Sequence, residues 1–193
     1  MKKTAVLIYD QFCLYEMSVA LEMLSMAGKP ITVFAKTLAP IRSEEGLLAS
    51  PDAAIDALDI SAYDSLLLTG SADLREAAED EAVVAFVRRF DRPDIVIGAI
   101  SIAPMLLLKA GMLQGKRFMM GVNQADVLEE GFTPEDVRHM IGWDDSLQSP
   151  VEEGYIQDGN IITSVSYGFL KWAEAFCRAL KLEVDPLAFG ADA

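Results

Sequence analysis

A serine stands where a run of small and apolar residues changes character. Gly98-Ala99-Ile100 reads as the end of a strand, Ser101 follows, and a helix opens near Pro104. A sharp strand-to-helix turn of this kind lifts one side chain out of a sheet. It also aims backbone N–H groups at an oxyanion, the arrangement of a nucleophile elbow. Serine is equally a favoured N-cap, so a Ser101 that simply caps the helix is the alternative. Glu16 lies where the first apolar run gives way to a helix, with no Lys or Arg nearby in sequence. In a cleft beside Ser101 it would be desolvated, and could act as an acid or hydrogen-bond donor. The alternative is a first-turn acid favoured by the helix dipole. Gly70-Ser71 ends another apolar run. It could present backbone N–H groups to an anion, or be an ordinary turn in which glycine eases the backbone.

Other reactive side chains are scarce. His139 is the single histidine. The order Ser101, then Asp126 or Asp136, then His139 copies the chain order of an α/β-hydrolase triad. However, GAISIAP lacks the G-x-S-x-G spacing, so a surface histidine is expected, in a helix over 134–141. Cys13 shares the Glu16 loop and is expected to be buried and inert, with a displaced reactive thiol as the alternative. Cys177 reads as core. One histidine and two cysteines make no recognisable ligand spacing, so no metal is expected. No cofactor is expected either. The loop after the first strand, DQFCLYE, lacks the Ser/Thr/Gly composition of a flavin phosphate loop, and no G-x-G-x-x-G is present.

These residues need elements to hold them. Ala5 to Tyr9, Ile31 to Ala35, Ser65 to Thr69 and Ile95 to Ile100 are continuous apolar runs, as strands buried on both faces are. Met17, Ala20, Leu21 and Leu24 repeat at helical spacing before Gly28, as do Val83, Phe86, Val87 and Phe90. The stretch 103–110 is apolar all round and predicts a buried helix with Pro104 in its first turn. Residues 41–50 suggest an edge excursion turning at Gly46, and 118–120 a further short strand. Asp158-Gly159 between two apolar pairs signals a hairpin, and Phe169 to Leu180 a last helix. Alternating strands and helices predict an α/β sandwich with a mostly parallel sheet. Ligands in such folds bind at the carboxyl ends of strands, which selects the loops at 10–16, 70–73 and 101–104.

Composition narrows the function classes. The 193 residues suit a single domain, 1–193, and 52% hydrophobic against 24% charged residues excludes a disordered chain. A formal net charge of −14 argues against a nucleic-acid partner. The apolar run at the start stops at Asp10, too early for a signal peptide, and the stretch 95–108 is too short to span a bilayer. A reduced, cytoplasmic protein with no membrane partner is expected.

Together the motifs resemble the DJ-one/ThiJ/PfpI superfamily, relatives of the class I glutamine amidotransferases. AVLIYDQF through Glu16 to ALEMLSMAG resembles its opening strand, glutamate loop and helix. YDSLLLTG resembles its "yDalvlPGG" segment, and GAISIAPMLLLKAGMLQGKR its elbow, "aICxGpxlLaxaGLLxGkr". DGNIITS resembles its closing hairpin. The resemblance implies a flavodoxin-like three-layer sandwich with helices on both faces, and a homodimer. It places the family's glutamate on Glu16, its nucleophile on Ser101, and its oxyanion donors on the backbone at Gly70, Ser71 and Ile102.

This chain departs from the family pattern at the chemistry itself. The elbow cysteine is Ser101. The following position, a histidine in protease-like members, is Ile102. The stretch after GKR that carries a histidine in another subgroup has Gly121, and the second glycine of "PGG" is Ser71. Serine needs a base to become nucleophilic, and it cannot form a sulfenic acid. Two functions remain open. One is a non-catalytic member binding a small metabolite near Ser101 and Glu16. The other is a hydrolase or hydratase of small molecules using Ser101 and Glu16 with a backbone oxyanion hole.

Overall fold

The computed structural model describes residues 1–143 and 150–189. Its centre is a seven-stranded sheet formed by β1 (Lys3–Leu7), β2 (Ile31–Ala35), β5 (Ala53–Ala54), β6 (Tyr63–Leu68), β7 (Val96–Ile100), β10 (Ile156–Asp158) and β11 (Ile161–Ser164). The strand order is β10-β11-β7-β6-β1-β2-β5. Every pairing is parallel except the β10–β11 hairpin at one edge. The central strands are apolar without alternation because helices cover both faces. On one face α1 (Leu14–Met26) packs on α6 (Phe169–Ala179), which lies on β7 and β11. On the other, α2 (Arg75–Glu79), α3 (Glu81–Arg88) and α4 (Pro104–Lys109) pack together. This is the expected three-layer α/β sandwich.

Glycine sets the spacing of one layer. A Cβ on Gly98 would lie 2.8 Å from Phe176 and 3.0 Å from Trp172, so its bare backbone lets α6 settle directly on β7. Trp172 is fully buried and donates its indole N–H to the Ile162 carbonyl on β11 at 3.1 Å. At the bottom of the sheet the buried Lys29 ammonium pairs with Asp64 at 2.7 Å and donates to the Lys2 carbonyl, tying the start of β1 to that of β6.

The expected edge excursion is the antiparallel pair β3 (Ile41–Arg42) and β4 (Leu48–Ala49), turning through Gly46 at φ +94°. The helix expected over 134–141 is absent. Residues 134–139 form turns, and Met140–Ile141 is β9, which pairs in parallel with β8 (Phe118–Met119) in a small separate sheet. The Asp136 carboxylate accepts from the Thr133 N–H at 2.8 Å and its hydroxyl at 2.6 Å, a local closure that competes with helical bonding. The sequence reading also missed α2 and α5 (Gln124–Glu129), the latter opened by an Asn123/Asp126 capping box. No helix among the described residues is long and apolar enough to cross a membrane.

Candidate functional site

β7 delivers Ser101 to the carboxyl edge of the sheet in a strained conformation. Its φ is +61°, a left-handed value that costs a non-glycine residue free energy and is held only by surrounding contacts. Those contacts are backbone bonds. The Ser101 N–H donates to the Ser164 carbonyl at 2.9 Å, and the Ser101 carbonyl accepts from Gly121 N–H at 2.8 Å. The helix beyond begins at Pro104, with Ala103 at its N-cap and no capping side chain. Ser101 therefore does not cap α4. It occupies an elbow.

Glu16 sits in the first turn of α1, but its side chain turns inward and is only 5% exposed. Its Oε2 accepts the Gly70 N–H at 2.8 Å and lies 3.5 Å from the Thr69 hydroxyl. Burial pushes the carboxyl above its ordinary range. Hydrogen bonds from Ser101, Gly70 and Thr69 work against that rise, and the Glu44 charge adds to it. Gly70 is the point of closest approach. A Cβ there would collide with Glu16 Oε2 and lie 2.9 Å from both Cβ and Oγ of Ser101. Gly121 closes the other side, where a Cβ would lie 3.0–3.1 Å from Ser101 Cα, C and Oγ. The acid and the hydroxyl, 85 residues apart in sequence (101 − 16), meet between two glycines.

One expected role is corrected. The Gly70 N–H was a candidate oxyanion donor, but the buried Glu16 carboxyl takes it. The loop after β6 is anchored by two bonds across the Phe12–Ser71 bridge, from Cys13 N–H to the Gly70 carbonyl and from Ala72 N–H to the Gln11 carbonyl. That pattern leaves the Ser71 N–H unused. Among the described residues neither Ser71 N–H nor Ile102 N–H meets a protein acceptor.

His139 is exposed and lies in the 134–139 turns. Asp136 is bound to Thr133, and Asp126 accepts the Asn123 N–H, so among the described residues no triad assembles around it. Cys13 is 4% exposed. Burial, then the charges of Glu16 and Glu44, push its thiol far above the ordinary range, which opposes a thiolate. Cys13, Glu44 and Glu45 form a group of potential metal ligands among the described residues, with atoms within 4.8 Å of one another. The Glu45 carboxylate there already accepts the Leu14 and Tyr15 N–H groups that open α1. Sequence reasoning overlooked Thr69, whose hydroxyl donates to the Cys13 carbonyl at 2.5 Å, and Ser164. Neither stands in a chemical motif; only their strand-end positions mark them.

The profile of the DJ-1/PfpI family matches residues 2–180. The chain belongs to the DJ-1/PfpI family. No curated protein sequence matches it, but solved structures of DJ-1 superfamily proteins share its fold. The protein Atu0886 from Agrobacterium tumefaciens is 21% identical, with a TM-score of 0.79 over 98% of this chain and 95% of that one. A cysteine-to-alanine mutant of STM1931 from Salmonella typhimurium is 22% identical, with a TM-score of 0.75 over 99% and 96%. DJ-1beta from Drosophila melanogaster is 22% identical, with a TM-score of 0.69 over 95% and 100%.

Proposed function

We propose that this DJ-1/PfpI member has exchanged the family's thiol chemistry for small-molecule binding at Ser101 and Glu16. The observation that carries the reading is the convergence at the elbow: a Cβ on Gly70 would meet both Glu16 Oε2 and Ser101 Oγ, so the serine hydroxyl and a buried carboxyl, whose pKa burial raises, face one point. Glu16 Oε2 already accepts the Gly70 N–H at 2.8 Å. The histidine that would serve as base instead is exposed on the 134–139 turns. Serine without a base is a poor nucleophile. The pair then offers a ligand a hydroxyl and a carboxyl in a fixed orientation, with Ser71 N–H and Ile102 N–H free among the described residues to bind its oxygen.

The left-handed φ of Ser101 favours a second reading. Backbone strain of this kind recurs at catalytic elbows. There Glu16 would ionise and activate water or Ser101 as a hydrolase or hydratase, with Ser71 and Ile102 as the oxyanion hole. A fluorophosphonate probe at neutral pH separates the two. The binding reading predicts no adduct by intact mass; an adduct that disappears in Ser101→Ala supports the hydrolase. The proposal includes a cytoplasmic homodimer. Two buried free cysteines suit a reducing compartment, and the exposed Leu47 and Leu48 of the β3–β4 hairpin are apolar surface for a second copy to cover.

A further inference from the structure

A cavity of about 270 Å³ opens beside the elbow. Its lining includes Ala72, Ile102 and Val122, the residues immediately after Ser71, Ser101 and Gly121. The cavity is therefore continuous in chain with all three segments that build the Ser101 site. Its floor is apolar, from Leu74 and Ala78 to Met105 on α4. Its volume is roughly nine water molecules' share of liquid, enough for an aryl or short alkyl body.

The charged rim selects among such bodies. Four carboxylates, Asp73, Glu79, Asp126 and Glu130, face two cations, Arg75 and Lys109, so the rim carries −4 + 2 = −2. Both cations are already engaged. Arg75 is held by the Asp73 carboxylate, to which its Nη2 and Nε donate at 2.5 and 2.9 Å, and Glu79 and Glu130 add their fields to it. The Lys109 ammonium lies 4.9 Å from the centre of the Phe132 ring. Asp126 is committed to the Asn123 N–H. The exposed carboxylates of Glu79 and Glu130 remain to meet a ligand, against the background of a chain at −14.

We infer that this cavity is the specificity arm of the Ser101 site, and that it takes an apolar molecule carrying a positively charged amine. The inference rests on the proposed small-molecule reading and names its ligand class. An anionic ligand is repelled by the rim, and a neutral one gains only the floor.

Three matched probes test it by titration calorimetry: 4-phenylbutylamine, 4-phenylbutan-1-ol and 4-phenylbutyrate. The amine is expected to bind at least tenfold tighter than the carboxylate, with the alcohol between them. In Glu79→Gln/Glu130→Gln, both changes at exposed positions, the three affinities are expected to converge within about threefold. Ala72→Trp, at an exposed position in the cavity wall, is expected to abolish amine binding without altering the melting temperature. Equal affinity for amine and carboxylate, or an amine affinity unchanged by Ala72→Trp, overturns the inference. The elbow is read separately through peroxide oxidation of a Ser101→Cys chain. If its thiol oxidises but the amine does not slow the reaction, the cavity is not an arm of this site. If the thiol never oxidises, the Ser101 reading fails, whatever the cavity binds.

Discussion

At the residue scale the decisive object is the Glu16 carboxyl. Burial and the Glu44 charge hold its pKa above 4.5 in the folded chain. A raised folded value means its contribution to stability is complete below the unfolded value near 4.5. That contribution is lost as pH rises through the folded value, because the native state keeps a proton that the unfolded chain releases. Glu16→Gln removes this titration. Denaturant melts at pH values rising from 4 should show wild-type stability falling relative to the variant, which follows a flatter curve. Parallel curves would mean that Glu16 titrates alike in both states. Glu45 runs the other way. Burial opposes its ionisation, but the Tyr15 N–H, the Ser43 hydroxyl and other donors outweigh it and bring its pKa down to about 2. This exposed carboxylate, rather than a residue adjacent to the helix, satisfies the opening of α1, whose own N-cap, Cys13, makes no side-chain cap.

At the scale of elements, the site and its supporting layer are set by how closely backbones approach. Gly98→Ala places a methyl 2.8 Å from Phe176 and should lift α6 from β7, costing about 1–3 kcal/mol by overpacking. Gly121→Ala meets the Ser101 backbone itself at 3.0 Å, where no flexible side chain can yield. Both variants should melt below wild type, and unchanged melts would show that these approaches have slack. The same scale explains what was legible in the sequence. The four central strands and α1, α3 and α6 could be read because long apolar runs and 3.6-residue spacing reflect two-sided and one-sided burial. β5 and α2 are short, and α2 buries only Ala78, so neither leaves a periodic trace. The 134–141 segment is expected as a helix, but Thr133 and Asp136 close a turn and Met140–Ile141 is drawn into pairing with β8. At the site, Ser101 and Glu16 were legible as residue types. The loss of the Gly70 N–H to Glu16 was not, because it depends on which donor a buried carboxyl reaches first.

At the scale of the whole molecule, five segments distant in sequence converge on one point. Glu16 comes from α1, Gly70 from the end of β6, Ser101 from β7, Gly121 from the loop after β8, and Ser164 from β11. A parallel sheet makes this possible because its strands all deliver their carboxyl ends to the same edge. If the proposed function is right, this convergence is intact and the elbow side chain alone limits thiol-type chemistry there. Ser101→Cys exposed to low peroxide, followed by intact mass, tests this most directly. The predicted result is addition of one or two oxygens at position 101, while Cys13 and Cys177, both buried and both raised above the ordinary thiol range, stay reduced. A new thiol as resistant as those two would contradict it.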